Sequence, residues 1–288
     1  GGRFLRASVA KRRRRSPNMA GMMRLPLRFL VAFVVAALAT AVHATGSLRL
    51  EALTSPEVQA LVRDGRTTVL VPIGGTEQNG PHMVLGKHNV RVDALCERIA
   101  QALGNALVAP VIAYVPEGNV SPPSAHMRFA GTISITAQTF ERLLEDAARS
   151  LRASGFRDIV FVGDHGGYQR NEQAVAARLD REWAKTPVRA HALVEYYAAA
   201  ETEYPAALAA RGYSKAEIGT HAGVADTSLS LAVDPALVRR DVLASGRELD
   251  AAHGVYGDPR RSSAELGAIG VEAIVARSVA AIRRATRR

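Results

Sequence analysis

Five histidines of this chain, His82, His88, His126, His165 and His221, stand in glycine- and proline-rich segments. An imidazole transfers protons near neutrality and binds metal ions through either ring nitrogen, so histidines gathered in loops are candidates for both tasks. Two of these segments directly follow stretches expected to be strands. Glu77 follows the first and His165 a later one. In open α/β sheets ligands bind beyond the carboxyl ends of the strands, so the fold is expected to bring Glu77 and His165 to one rim. Cys96 is the single cysteine, which excludes an intrachain disulfide and any zinc site built on several thiolates. It falls in an apolar helical pattern and reads as core. A metal in this chain would be held by His, Asp and Glu.

The elements that must position these groups alternate between short β-branched runs and long helical patterns, the signature of an α/β protein with a mainly parallel sheet. Residues 67–73 read as a strand ending in Gly74-Gly75, and residues 91–103 carry apolar positions at helical spacing. A second strand is expected over 106–115, followed by a long loop with Pro116, Gly118, Pro122 and Pro123. Residues 136–154 form an amphipathic helical pattern stopped by Gly155, and 158–163 is the clearest buried strand. A helix over 171–185, a strand over 189–197, helical structure over 200–217 and a closing helix over 264–285 complete the reading. Residues 227–231 fit a short strand or a helix start. The chain shows no internal repeat and no low-complexity linker, so residues 45–288 are expected to be one domain.

The formal charge of +10 would suggest a polyanionic partner, but nine Lys/Arg and no Asp/Glu lie in the first 44 residues. The remainder holds 28 Lys/Arg against 27 Asp/Glu, which removes the main support for nucleic acid. Residues 1–44 are laid out as a signal peptide with an upstream basic segment. Arg24 and Arg28 precede an apolar run from Phe29 to Ala41, and Val42-His43-Ala44 ends at the expected cleavage point. The run is about half of the roughly 20 residues a spanning helix needs, so an uncleaved anchor is the lesser alternative. The expectation is a periplasmic or secreted protein with no stable membrane insertion after cleavage.

The run from Pro72 through Glu77, Asn79 and His82 to His88 resembles the first metal-binding loop of the creatininase family. Residues 121–132, with His126 and Phe129-Ala-Gly-Thr132, are similar to that family's next segment, and Gly163-Asp-His165-Gly-Gly167 resembles its glycine-paired histidine turn. His221-Ala-Gly-Val-Ala-Asp226-Thr-Ser228 and Gly254-Val-Tyr-Gly-Asp-Pro259 are similar to two further stretches, and the five occur in the family's order. The resemblance implies a three-layer α/β/α fold and a metal-dependent hydrolase acting on non-peptide C–N bonds of small cyclic or formyl-type amides through a metal-activated water. It implies Glu77 and His165 as metal ligands, His221 as the histidine that carries a proton to the leaving amine, and a hexamer.

The chain departs from the family pattern at three positions. Asn79 takes the place of a histidine ligand, His88 that of a bridging aspartate, and Gly167 that of a further glutamate ligand in creatininase itself. Glu77, His88 and His165 still form the two-histidine, one-carboxylate set of a catalytic zinc site. The expectation is therefore one well-held ion, Zn²⁺ before Mn²⁺, with a second weak or absent. Asp226 stands at a family glutamate and is open to four roles: orienting His221, approaching the metal, capping a helix, or lying on the surface. Asp164 is a candidate support for His165, and His82 and His126 are candidates for purely structural roles. The alternative to an enzyme is a periplasmic small-molecule binding relative that keeps the pocket without turnover; an ester or lactone hydrolase is a third reading.

Overall fold

The computed structural model describes residues 46–287, so the signal-peptide reading of residues 1–44 lies outside the described residues. Four strands, β1 (Thr68–Ile73), β2 (Ala106–Val108), β3 (Asp158–Gly163) and β4 (Arg189–Ala192), form a parallel sheet in the order β2-β1-β3-β4. The six residues of β1 and the six of β3 are all buried, as expected of parallel strands covered on both faces.

Side-chain alternation along the strands sorts the core into two halves. Val69, Val71, Ile73, Ile159 and Phe161 face one side, where they meet helices α1 (Ser55–Arg63), α3 (Ala137–Ala153) and α4 (Gln169–Glu182) through residues such as Phe140, Leu144, Leu179 and Trp183. Leu70, Val160 and Val162 face the other side. There they pack on α2 (Lys87–Leu103), α5 (Val194–Glu201), α6 (Glu203–Ala209), α7 (Val224–Val233) and α8 (Ala264–Ala285), with Cys96 fully buried among them. This is the expected three-layer α/β/α arrangement. The described residues from Ser47 onward form one compact unit. Among the described residues no helix is long and apolar enough to cross a membrane.

Most helix and strand limits follow local chemistry. Thr136 caps α3 by accepting a hydrogen bond from the Thr139 N–H, and Gly155 takes the left-handed φ of +99° that turns the chain toward β3. Two expectations change. The second strand stops at Val108 rather than running to 115. Pro110 supplies no N–H to a ladder, and beyond it the contact with β1 is reduced to Ile112, whose N–H donates to the Pro72 carbonyl. The expected strand over 189–197 ends at Ala192, and Val194 opens α5. The Tyr-Tyr-Ala-Ala-Ala run there is helical because α5 buries Tyr196 against the sheet. Residues 227–231, left open between strand and helix, lie within α7.

Candidate active site

The loops after β1, β2 and β3 leave the same rim of the sheet, and each brings a chemically competent side chain. The loop after β1 carries Glu77, which has no exposed surface, and hands over to α2 at Lys87. The long loop after β2 carries Glu117 and His126. It is tied down where Ser134 Oγ accepts from the Glu117 N–H and donates to the Gly118 carbonyl. The turn after β3 carries Asp164 and His165, and the Gly167 N–H donates to His165 Nδ1 at 3.1 Å. A Cβ on Gly167 would lie within 3.0 Å of that nitrogen, so the glycine leaves room for the ring. His221 arrives from the stretch before α7, where its N–H and C=O bridge to Tyr256.

The Glu77 carboxylate has two differently furnished sides. Its Oε2 stands 3.0 Å from His126 Nε2 and 3.5 Å from His165 Nε2, and the Glu117 carboxyl group is beside it. One donor atom from each of Glu77, Glu117, His126 and His165 falls within 4.8 Å of the others, the arrangement needed to hold a metal ion. Its Oε1 faces His88 Nε2 at 2.8 Å, His221 Nδ1 at 3.7 Å and Lys87 Nζ at 3.9 Å.

His88, expected among the ligands, is placed on that second side. Its Nε2 faces Glu77 and its Nδ1 faces Asp164 Oδ2 at 2.6 Å, so both nitrogens are turned to carboxylates. Asp164, expected to support His165, instead holds His88, Arg91 and the Tyr196 hydroxyl. Asp226 contacts neither the ligand cluster nor the His221 ring directly. It pairs with Lys87 Nζ and Arg91 Nη1 and accepts the Ala222 N–H at 3.0 Å. Ala222 has a positive φ of 55°, uncommon for a residue with a side chain, and the Asp226 bond steadies that turn next to His221. Asn79 is buried with its amide donating to the Glu77 and Val84 carbonyls, which shapes the loop. His82 is buried against Thr227, its Nε2 3.0 Å from the hydroxyl, and is structural.

Burial and charge set the protonation of the cluster. Burial opposes ionisation of Glu77, but the neighbouring His88, His165 and Lys87 overcome it and hold the carboxyl well below its usual range. Burial and the adjacent Glu77 push Glu117 up to about 9. Burial lowers His165 to about 3, and burial together with the Lys87 cation lowers His221 to about 4. Glu77 Oε2 and both oxygens of Glu117 are buried with no well-aligned hydrogen bond, although His126 Nε2 stands 3.0 Å from Glu77 Oε2. Such groups are costly unless a ligand satisfies them, and a divalent cation between two carboxyls and two imidazoles would do so. The donor set fits zinc or manganese.

Glu117, Lys87 and Arg91 were not foreseen as site residues. Glu117 had one signal: it is the single acidic residue between Glu97 and Glu141, inside a Pro/Gly-rich loop. Lys87 and Arg91 had none, since nothing in the sequence marks these cations as buried. The cluster opens into a cavity of about 730 Å³ whose walls include Tyr197, Glu201, Ala206, Ile218 and Tyr256.

Comparison with known proteins gives a consistent result. A family model described as creatinine amidohydrolase matches residues 51–282. The chain is 30% identical over 220 residues to the mycofactocin precursor peptide peptidase of Mycolicibacterium smegmatis, covering 69% of this chain and 77% of that protein. It is 29% identical over 195 residues to the creatinine amidohydrolase of Pseudomonas putida, covering 66% of this chain and 73% of that protein. A crystal structure of creatininase superposes with a TM-score of 0.70 at 25% identity, over 84% of this chain and 99% of the other. A manganese form and a zinc-zinc form of a variant superpose with TM-scores of 0.66 and 0.67, each at 26% identity and over 84% of this chain, covering 100% and 99% of the respective partners.

Proposed function

The chain belongs to the creatininase family, and on that premise we propose that it is a metal-dependent amidohydrolase that splits a carbon–nitrogen bond of a small cyclic or formyl-type amide. The observation that carries this reading is the meeting of Glu77, Glu117, His126 and His165 at the edge of the 730 Å³ cavity. Those four residues would hold the ion, Zn²⁺ in preference to Mn²⁺, and the ion's chemistry is Lewis acidity toward a carbonyl oxygen and a water molecule. His221 moves the proton. Its Nε2 donates to the Gln78 carbonyl at 2.9 Å, which leaves the Nδ1 lone pair on the Glu77 side. Burial and the Lys87 cation keep the ring neutral around pH 7, the form with a free lone pair that can take a proton and pass it to the departing nitrogen. Asp226 is a positioning residue that acts on His221 through the Ala222 turn.

A peptide substrate is the second reading. It is favoured by the relative named as a precursor peptide peptidase and by a cavity large enough for more than a small ring. Export behind residues 1–44 and assembly as a hexamer complete the proposal. The test is a panel of small cyclic amides, formamides and short peptides, offered to the Zn²⁺- or Mn²⁺-loaded protein. Turnover by the wild type and its loss in Glu77→Gln is the expected result. Turnover confined to peptides selects the second reading. Binding without turnover, by a protein that takes up no metal, would make the chain a binding relative and overturn the enzymatic assignment.

A further inference from the structure

Lys87 has no exposed surface and is the first residue of α2, with Arg91 one turn later and no acidic residue in that turn. The amino end of a helix carries positive potential, so cations there are unfavourable unless compensated. The compensation is specific: Lys87 Nζ donates to Asp226, Arg91 joins Asp226 to Asp164, and His88 joins Asp164 to Glu77. The chain of charges ends at Glu77 Oε1, the side of the carboxylate away from the candidate ligands. A second divalent ion on that side would share Glu77 with the first, where His88 Nε2 at 2.8 Å and His221 Nδ1 at 3.7 Å face Oε1 and Asp226 is joined to the place through Lys87 Nζ. The position is already supplied with a cation, because the Lys87 ammonium sits 3.9 Å from Oε1 and is bonded to Asp226.

We propose that the Lys87 ammonium is a built-in substitute for a second metal ion, so that this chain holds one divalent ion, on the Oε2 side of Glu77, where the zinc-zinc relative is described with two. The inference rests on the reading of the Oε2 side as a metal centre. Two nearby cations repel strongly in a site shielded from water, so an ammonium that cannot leave excludes a dication from its neighbourhood. Unlike a bound ion, the lysine side chain beside the carboxylate is part of the chain, and chelators cannot remove it.

The experiment is metal counting on the purified protein by elemental mass spectrometry, together with electron paramagnetic resonance of the Mn²⁺-loaded form. The expected result is one equivalent per chain and the six-line signal of an isolated Mn²⁺. Lys87→Met, which removes the charge and keeps the length, should rise toward two equivalents and show a coupled pair, while Lys87→Arg stays at one. Two equivalents or a coupled pair in the wild type would overturn the inference without recourse to any variant. So would a folded Lys87→Met that still binds one. No bound ion at all would instead overturn the reading of the cluster as a metal centre.

Discussion

At the scale of single residues, the outcome turns on which histidines touch the ion. The described geometry places His126 in the donor cluster and His88 behind Glu77. His126→Ala should therefore remove a ligand, whereas His88→Ala should only loosen the carboxylate it steadies, a change of about 10- to 100-fold in metal affinity. Titration with a competing chelator distinguishes them, and a larger loss for His88→Ala would return His88 to the ligand set. His82 offers a test of burial. Burial, with the Lys87 cation adding to it, lowers its folded-state pKa to about 4 from an ordinary 6.5. The unfolded chain thus binds a proton that the folded one refuses between those values, and stability is full above pH 6.5 and falls as the pH drops toward 4. That lowering of the pKa is worth about 3 kcal/mol at most. His82→Gln should flatten that part of the urea-melting profile against pH, and an unchanged slope would show that other groups carry it. Glu77 and His165 could be placed on one rim because glycines and strand ends mark it, whereas His221 was reached only through its resemblance to the family motif. Lys87 and Glu117 could not, because their burial depends on elements far away in sequence.

At the scale of elements, the helix that carries Asp226 is held by close backbone contact. Gly267 of α8 faces the Ser228 carbonyl of α7 so closely that an added Cβ would lie 1.8 Å from it. Gly267→Ala must push the two helices apart, at a cost of about 1–3 kcal/mol. Because α7 also fixes Ala222 and, through it, His221, turnover should fall more than metal affinity, which depends on the other loops. Equal stability to the wild type in denaturant melts would contradict this packing. The same helices explain what the sequence could and could not convey about the fold. Residues 158–163 and 264–285 were legible to the residue because a fully buried strand and a long amphipathic helix carry strong patterns. The 106–115 and 189–197 segments misled because apolar character alone does not show where a strand stops. What ended the first was the missing N–H of Pro110. What ended the second was a helix that gained stability only by burying Tyr196.

At the scale of the whole molecule, the basic surplus and the domain are separable. Removal of residues 1–44 takes away nine Lys/Arg and leaves a nearly neutral chain. The native protein should begin at Thr45 and elute from heparin at low salt, since the remaining 28 Lys/Arg are nearly balanced by 27 Asp/Glu. N-terminal sequencing from the native host checks the first point, and a start before residue 40 would rule out the cleavage. A last consequence comes from Cys96, which is fully buried on α2 and whose thiol burial pushes well above its ordinary pKa. With no other cysteine in the chain, the wild type is a silent background for thiol labelling. A cysteine placed at the exposed Tyr256 on the cavity wall would be the single site to take a spin label or fluorophore, giving a ruler from the mouth of the cavity to a bound Mn²⁺ without removing a native residue from the core.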